Sequence, residues 1–233
     1  MTNSIKQQNV FTVLGMHRSG TSCLAGLLEN MGVKLGNVSE QNPNNLKGNK
    51  ENRSISYFND SLMIANGGNW HNPPLNVIWS LEHKRTRDNI IATYAEYENW
   101  GFKDPRTLFT LDGWLEAIPQ LKMVGIFRHP FHVANSLRRR TPAMELDYAY
   151  GIWYRYNRKL IEHQDKYGFE LISFDDKYFL KRFITLAQKI GLPAPVQAPD
   201  FFDPNLRHND VPADDLPKAI ADLYQDLLQR ATL

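Results

Sequence analysis

"FTVLGMHRSGTSCLAGLLENMG", residues 11–32, is the stretch that decides the fold. Phe11 to Leu14 is a β-branched and aromatic run suited to a strand, and the next residues form a turn rich in Gly, Ser and Arg. From Thr21 onward Leu24, Leu27, Leu28 and Met31 recur at i, i+3, i+4 and i+7, until Gly32 stops the helix. A tight turn between a strand and a helix presents backbone N–H groups and the positive end of a helix dipole, so it holds an anion whatever its side chains. The spacing Gly15-x4-Gly20-Thr21-Ser22 matches a nucleotide-binding P-loop except that Thr21 stands where the lysine belongs. Without that lysine the loop loses the charge that neutralises a β/γ-phosphate pair on Mg²⁺. Arg18 supplies a cation earlier in the loop instead.

Working outward, the same unit recurs. Trp100-Gly101-Phe102 leads into Lys103-Asp104-Pro105-Arg106 and a helix over Thr107 to Ala117, with Leu108, Leu111 and Leu115 on one face. KMVGIF (122–127) is the continuous apolar run of a strand buried in a parallel sheet; it ends in Arg128-His129-Pro130 before a helix over Phe131 to Arg140. Arginines 138–140 suit the negative end of that helix and are most simply a solvated terminus. A long helix over 144–164, a strand at FELISF (169–174) and a helix over Lys177 to Ile190 follow. Strands alternating with helices imply α/β architecture: a doubly wound parallel sheet flanked by helices in a P-loop-like three-layer sandwich. Ligands in such sheets sit at the C-terminal strand ends, where His17-Arg18-Ser19, Lys103 to Arg106 and Arg128-His129 fall. Residues 33–98 have weak periodicity and many Asn, Gly and Pro, so irregular helices and loops are expected there, with aromatic sites around Trp70 and Trp79.

At 233 residues, with no Pro/Gly/Ser-rich linker, a single domain over 1–233 is expected. No apolar run approaches the roughly 18 residues of a membrane span. The polar start MTNSIKQQN carries no signal-peptide pattern, and the lone Cys23 permits no internal disulfide, so a cytoplasmic protein is expected. A formal net charge of +2 is too small to argue for nucleic acid. The isolated cysteine and seven histidines without ligand spacing give no zinc site.

A sulfuryl group carries less charge than a phosphoryl group, so its transfer can run on fixed cations without a metal. In this light the chain resembles the sulfotransferases that use 3′-phosphoadenosine 5′-phosphosulfate (PAPS), in particular their bacterial branch. GMHRSGTS (15–22) resembles the family's 5′-phosphosulfate loop, and FRHPFHVANSL (127–137) its 3′-phosphate motif. The middle unit (100–119), the closing unit (169–176 with the helix to 193) and FFDPNLRHN (201–209) match more weakly, and 33–98 is the probable acceptor-binding segment by its variability in the family. The resemblance implies PAPS as co-substrate, no metal, and a small-molecule or carbohydrate hydroxyl as acceptor, with neither nucleic acid nor membrane as partner. It implies that His17, Arg18, Ser19, Gly20, Thr21 and Ser22 cradle the 5′ end, and that Arg128 and Ser136, with Arg207 as a third cation, hold the 3′-phosphate. The residues alone also allow Arg128 an ion pair with an acidic neighbour, and Ser136 a plain helical role.

Sulfuryl transfer needs a base for the acceptor hydroxyl and a cation at the leaving oxygen. Lys103 resembles the family's lysine after the corresponding strand; its alternative is pairing with Asp104 or another acid. The histidine that many members carry two residues later is Pro105 here, so the base moves elsewhere. Glu51 in LKGNKENRSISYF is the candidate, with His71 and His17 as runners-up; Arg18 joins Lys103 and Glu51 as the catalytic set. Trp70 and His71 are the acceptor candidates, and Tyr57, Phe58 and Trp79 either wall that pocket or pack the core. Two rivals remain: a P-loop kinase with Asp175 as magnesium-binding acid, and a non-catalytic nucleotide-binding protein.

Overall fold

The structure, a computed structural model, describes residues 8–38, 48–193 and 216–231. Four parallel strands, β1 (Asn9–Leu14), β2 (Asn99–Lys103), β3 (Lys122–Phe127) and β4 (Glu170–Ser173), pair in the order β2-β1-β3-β4. Period-two alternation sends their side chains to two cores. Val10 and Leu14 of β1, with Trp100, Phe102, Phe127 and Leu171, join one core, whereas Phe11 and Val13, with Val124, Ile126 and Ile172, join the other. Helices α1 (Thr21–Asn30) and α7 (Phe179–Lys189) cover the second face through Leu24, Leu27, Leu28, Phe183 and Leu186. The first face is covered by α2 (Arg53–Ala65), α4 (Thr107–Ala117), α5 (Pro130–Arg140), α6 (Leu146–Tyr167) and α8 (Lys218–Arg230), so the sheet is the middle of three layers.

The described residues of 33–98 are more regular than the composition suggests. Asn52 caps α2, its Oδ1 accepting from the Ser54 and Ile55 N–H groups, and Ile55, Phe58 and Leu62 then face the core at helical spacing. Helix α3 (Leu81–Ala92) starts at a Ser80/His83 capping box and buries only Arg87, which is why it leaves no apolar period. Phe58 is core, with Trp79 and Trp114 packed around it, and Tyr57 is 79% exposed. Helix α8, which had no counterpart in the sequence reading, seats Ile220, Leu223 and Leu227 in the first core, where α6 is its principal neighbour. No helix among the described residues is long and apolar enough to cross a membrane.

Candidate active site

The strand order reverses direction on either side of β1, so the loops after β1 and β3 open a crevice at the carboxyl edge of the sheet. The loop after β1 is shaped by two glycines. A Cβ on Gly15 would collide with the Ile126 carbonyl, and Gly20 has φ +87° with the Phe174 ring where a side chain would be. Arg18 also adopts a left-handed φ of 66°, a strained conformation for a residue with a Cβ. Helix α1 begins at Gly20 with no side-chain cap, and Ser19 Oγ is buried without a partner among the described residues. Uncapped N–H groups and an orphaned hydroxyl suit an anion.

The second motif comes to the same place. Arg18 Nε donates to Ser136 Oγ at 2.7 Å, joining the first loop to α5. Arg128, at the end of β3, pairs with Asp175 at 3.1 Å and lies over the Phe174 ring. Burial, with Arg140 and Arg128 nearby, brings the Arg18 guanidinium down to about 10. Burial alone would push the Asp175 carboxyl up, but hydrogen bonds from His132 and the His129 N–H, together with Arg128, hold it down at about 2. Its oxygens are thus spent on protein donors and a guanidinium, a poor arrangement for holding magnesium and a point against the kinase rival.

A third group sits beside the loop. Lys103 ends β2, where register with Val13 turns it toward α1; although only 1% exposed, its ammonium reaches Glu51 at 2.7 Å and Ser22 Oγ at 3.3 Å. Glu51 is fixed from both sides. Asn52 Nδ2 donates to the Leu35 carbonyl and Tyr94 Oη, Lys50 pairs with Glu29 at 2.6 Å, and Ser22 Oγ donates to the Asn49 carbonyl. Burial would raise the Glu51 carboxyl, yet the charge and hydrogen bond of Lys103 outweigh it and hold it below the usual carboxylate range. Asp104 pairs instead with Arg106, whose guanidinium also reaches Asp60 and Ser56 and is held firmly protonated.

A cleft of about 390 Å³ has His17, Arg18, Thr21, Ser22, Glu51 and Lys103 on its lining, with Trp70 at its wall; Ser19, Arg128 and Ser136 are not on that lining. The His17 ring meets Trp70 and Tyr156 edge to face, and its Nε2 has no partner among the described residues. Burial, only partly offset by Glu51, brings the His17 imidazole down to about 3, so it is neutral at pH 7. The Trp70 carbonyl accepts from Tyr156 Oη at 2.7 Å. His71 is outside the cleft, its Nδ1 2.8 Å from Tyr148 Oη and its carbonyl accepting from Arg155. Trp79 is likewise elsewhere, packed on α4 against Gly113. Arg207 lies outside the described residues. Two lining residues escaped the sequence reading. Arg106 belongs to the KDPR stretch after β2; Arg140 is exposed, as a solvated helix end implies, and also lines the cleft, for which its spacing of four from Ser136, one helix face, is the sequence signal.

No family model and no curated relative matches the sequence. Among solved structures, the sulfotransferase domain of the Synechococcus PCC 7002 olefin synthase is similar over 98% of both chains, with TM-score 0.60 and 17% identity. A sulfotransferase from Alicyclobacillus acidocaldarius is similar over 96% of this chain and 94% of its own, with TM-score 0.54 and 14% identity. The chain has the P-loop-like α/β fold of these sulfotransferases.

Proposed function

We propose that this protein moves a sulfuryl group from PAPS to a hydroxyl of a small-molecule or sugar acceptor, without a metal. The observation that supports this reading is the Arg18–Ser136 bond, which joins the loop after β1 to α5; a nucleotide with phosphate on both its 5′ and 3′ sides needs two such anion-binding motifs side by side. The residues present fit the donor: the uncapped α1 start, Ser19 Oγ, Thr21 and Ser22 for its 5′ end, Arg128 and Ser136 for its 3′-phosphate. When bound, it supplies the sulfuryl group, which leaves the 5′-phosphate oxygen and bonds to the acceptor oxygen. Glu51 takes the acceptor proton at its carboxylate, already ionised at pH 7. Lys103 holds that carboxylate and turns its ammonium toward charge developing at the leaving oxygen, where a buried cation counts most. Neutral His17 lines the cleft without adding a charge to it at pH 7.

The donor test compares 3′-phosphoadenosine 5′-phosphate (PAP) with ADP at equal concentration. PAP at 100 times its Kd adds about 2.7 kcal/mol of stability. A melting-temperature rise well above that given by ADP, largely erased in Arg128→Ala and indifferent to EDTA, is the expected result. Equal shifts with both nucleotides, untouched by the substitution, refute the 3′-phosphate assignment; a donor role for ATP that chelation abolishes would establish the kinase.

A further inference from the structure

One cation of the cleft lies outside both donor motifs and has no acid of the chain beside it among the described residues. Of the cleft's four cations, Lys103 is matched by Glu51 and Arg106 by Asp104 and Asp60, while Arg18 is tied to Ser136 within the donor motifs. Arg140 lines the same cleft, and among the described residues no carboxylate lies within ion-pair distance of it. It stands one turn beyond Ser136 on α5, about 6 Å further along the helix axis from the end that carries Arg128. Leu137, Thr141 and Trp70 are on the same lining.

We infer that Arg140 is a specificity-determining residue that selects an acceptor bearing an anionic group, a carboxylate in the simplest case, besides the hydroxyl that is sulfated. This deepens the sulfotransferase reading and rests on it. On such a molecule the Arg140 guanidinium would meet the charge, the Trp70 indole the flat or apolar body, and the Glu51 carboxylate the reacting hydroxyl. The Glu51 carboxylate repels the anionic end, so the acceptor enters hydroxyl first. The charge of Arg140 is felt across the cleft, where it disfavours protonation of His17 and of Arg18. An anion seated on Arg140 relieves that repulsion, which an uncharged acceptor leaves in place.

The test uses matched pairs: 4-hydroxybenzoate against 4-hydroxybenzamide, and 3-hydroxybutyrate against 3-hydroxybutyramide. Binding to the full chain is measured by calorimetry with and without PAP, and turnover by PAP release from PAPS. The wild type is expected to favour the carboxylate of at least one pair by about tenfold or more, the scale of a charge-assisted hydrogen bond. In Arg140→Ala the ratio falls to near one, in Arg140→Lys part of it survives, and in Arg140→Glu it inverts, while PAP affinity moves less than twofold. No carboxylate preference in the wild type, including failure of every compound to bind or react, overturns the inference. So does a preference that survives Arg140→Ala, or an Arg140→Ala protein that loses PAP instead of acceptor. Absence of PAP binding would sink the donor reading alone, because the carboxylate preference is read separately by nucleotide-free calorimetry.

Discussion

The two sides of the cleft are built from different materials. Arg128 directly follows β3, and Arg18 and Ser19 sit in the tight turn after β1; both strands are buried on both faces and paired in register from Phe11↔Lys122 to Leu14↔Gly125. Glu51 and Trp70 hang on a capped helix and a loop pinned by side-chain hydrogen bonds: those of Asn52 at the start of α2, that of Asn66 Oδ1 accepting from the Ile78 N–H at 2.8 Å, and that of Tyr156 Oη donating to the Trp70 carbonyl at 2.7 Å. The difference separates two tasks. In the proposed reaction the strand-end groups would meet the donor, whose geometry is constant, and the loop-borne groups would meet the acceptor, so that they could be re-cut for a new one without disturbing the core. Lys103 bridges the two sides, because it ends a strand and yet bonds Glu51.

The largest expected effect tests that bridge. Glu51→Gln preserves shape and removes basicity, so turnover should fall by about 10²–10⁴-fold with PAP affinity almost unchanged. Lys103→Met should cost roughly 10²–10³-fold through the leaving oxygen. Their combination should cost less than the product of the two, because each single change already breaks the 2.7 Å pair. An acidic phenol such as 4-nitrophenol, ionised without help, should partly rescue Glu51→Gln and leave Lys103→Met slow. Steady-state kinetics on the four proteins checks all of this; a Glu51→Gln enzyme at full speed would make the loop side a mere support.

The next effect is thermodynamic. His17 takes up a proton near 6.5 when unfolded but resists it to about 3 when folded, so the folded state loses stability as pH falls through that window. At about 1.4 kcal/mol per pH unit the loss by pH 4 is roughly 2–3 kcal/mol, trimmed by the ring's open edge toward the cleft. His129 and His163 are also held below their usual range and act in the same direction, so the measurement is a difference. Urea unfolding of wild type and His17→Gln from pH 7 to 4 should show the two stability curves drawing together as the pH falls. Parallel curves would mean that the imidazole is wetter than its contacts with Trp70 and Tyr156 imply.

The same division explains what could be read in advance. The strand-loop-helix units announce themselves because burial on both faces forces unbroken apolar runs such as KMVGIF, and because only glycine fits at Gly15 and Gly20. The three-layer sheet and the strand-end positions of Arg18, Lys103 and Arg128 followed from that. Helix α3 left no period because it buries a single arginine, while α2 had its signal, Asn52 before Ile55, Phe58 and Leu62, obscured by Asn- and Gly-rich surroundings. The ion pair of Arg128 with Asp175 joins residues 47 apart, and the contact of His71 with Tyr148 joins residues 77 apart. No local pattern encodes such pairings. Arg140 follows the same rule: it is exposed at the helix end, as the sequence implies, and only the fold shows that it also lines the cleft.

The smallest effect probes the scaffold of the loop side and involves no reacting group. Gly113 lies on α4 where the Trp79 ring presses against the helix, and an alanine Cβ there would fall within the ring. Trp79 is in turn sandwiched by Phe58 of α2, Trp114 of α4 and the Arg87 guanidinium of α3, so the ring has little room to retreat. Gly113→Ala should therefore destabilise the fold by about 1–3 kcal/mol through overpacking, partly offset by alanine's better helix propensity. The displacement runs along α2 toward Glu51 but does not reach β1 or β3, so PAP affinity should hold while acceptor KM rises a few-fold. Trp79→Phe combined with Gly113→Ala should recover much of the lost stability by making room for the methyl group. A loss of PAP affinity in Gly113→Ala equal to its loss of acceptor binding would show that the two sides of the cleft move as one body.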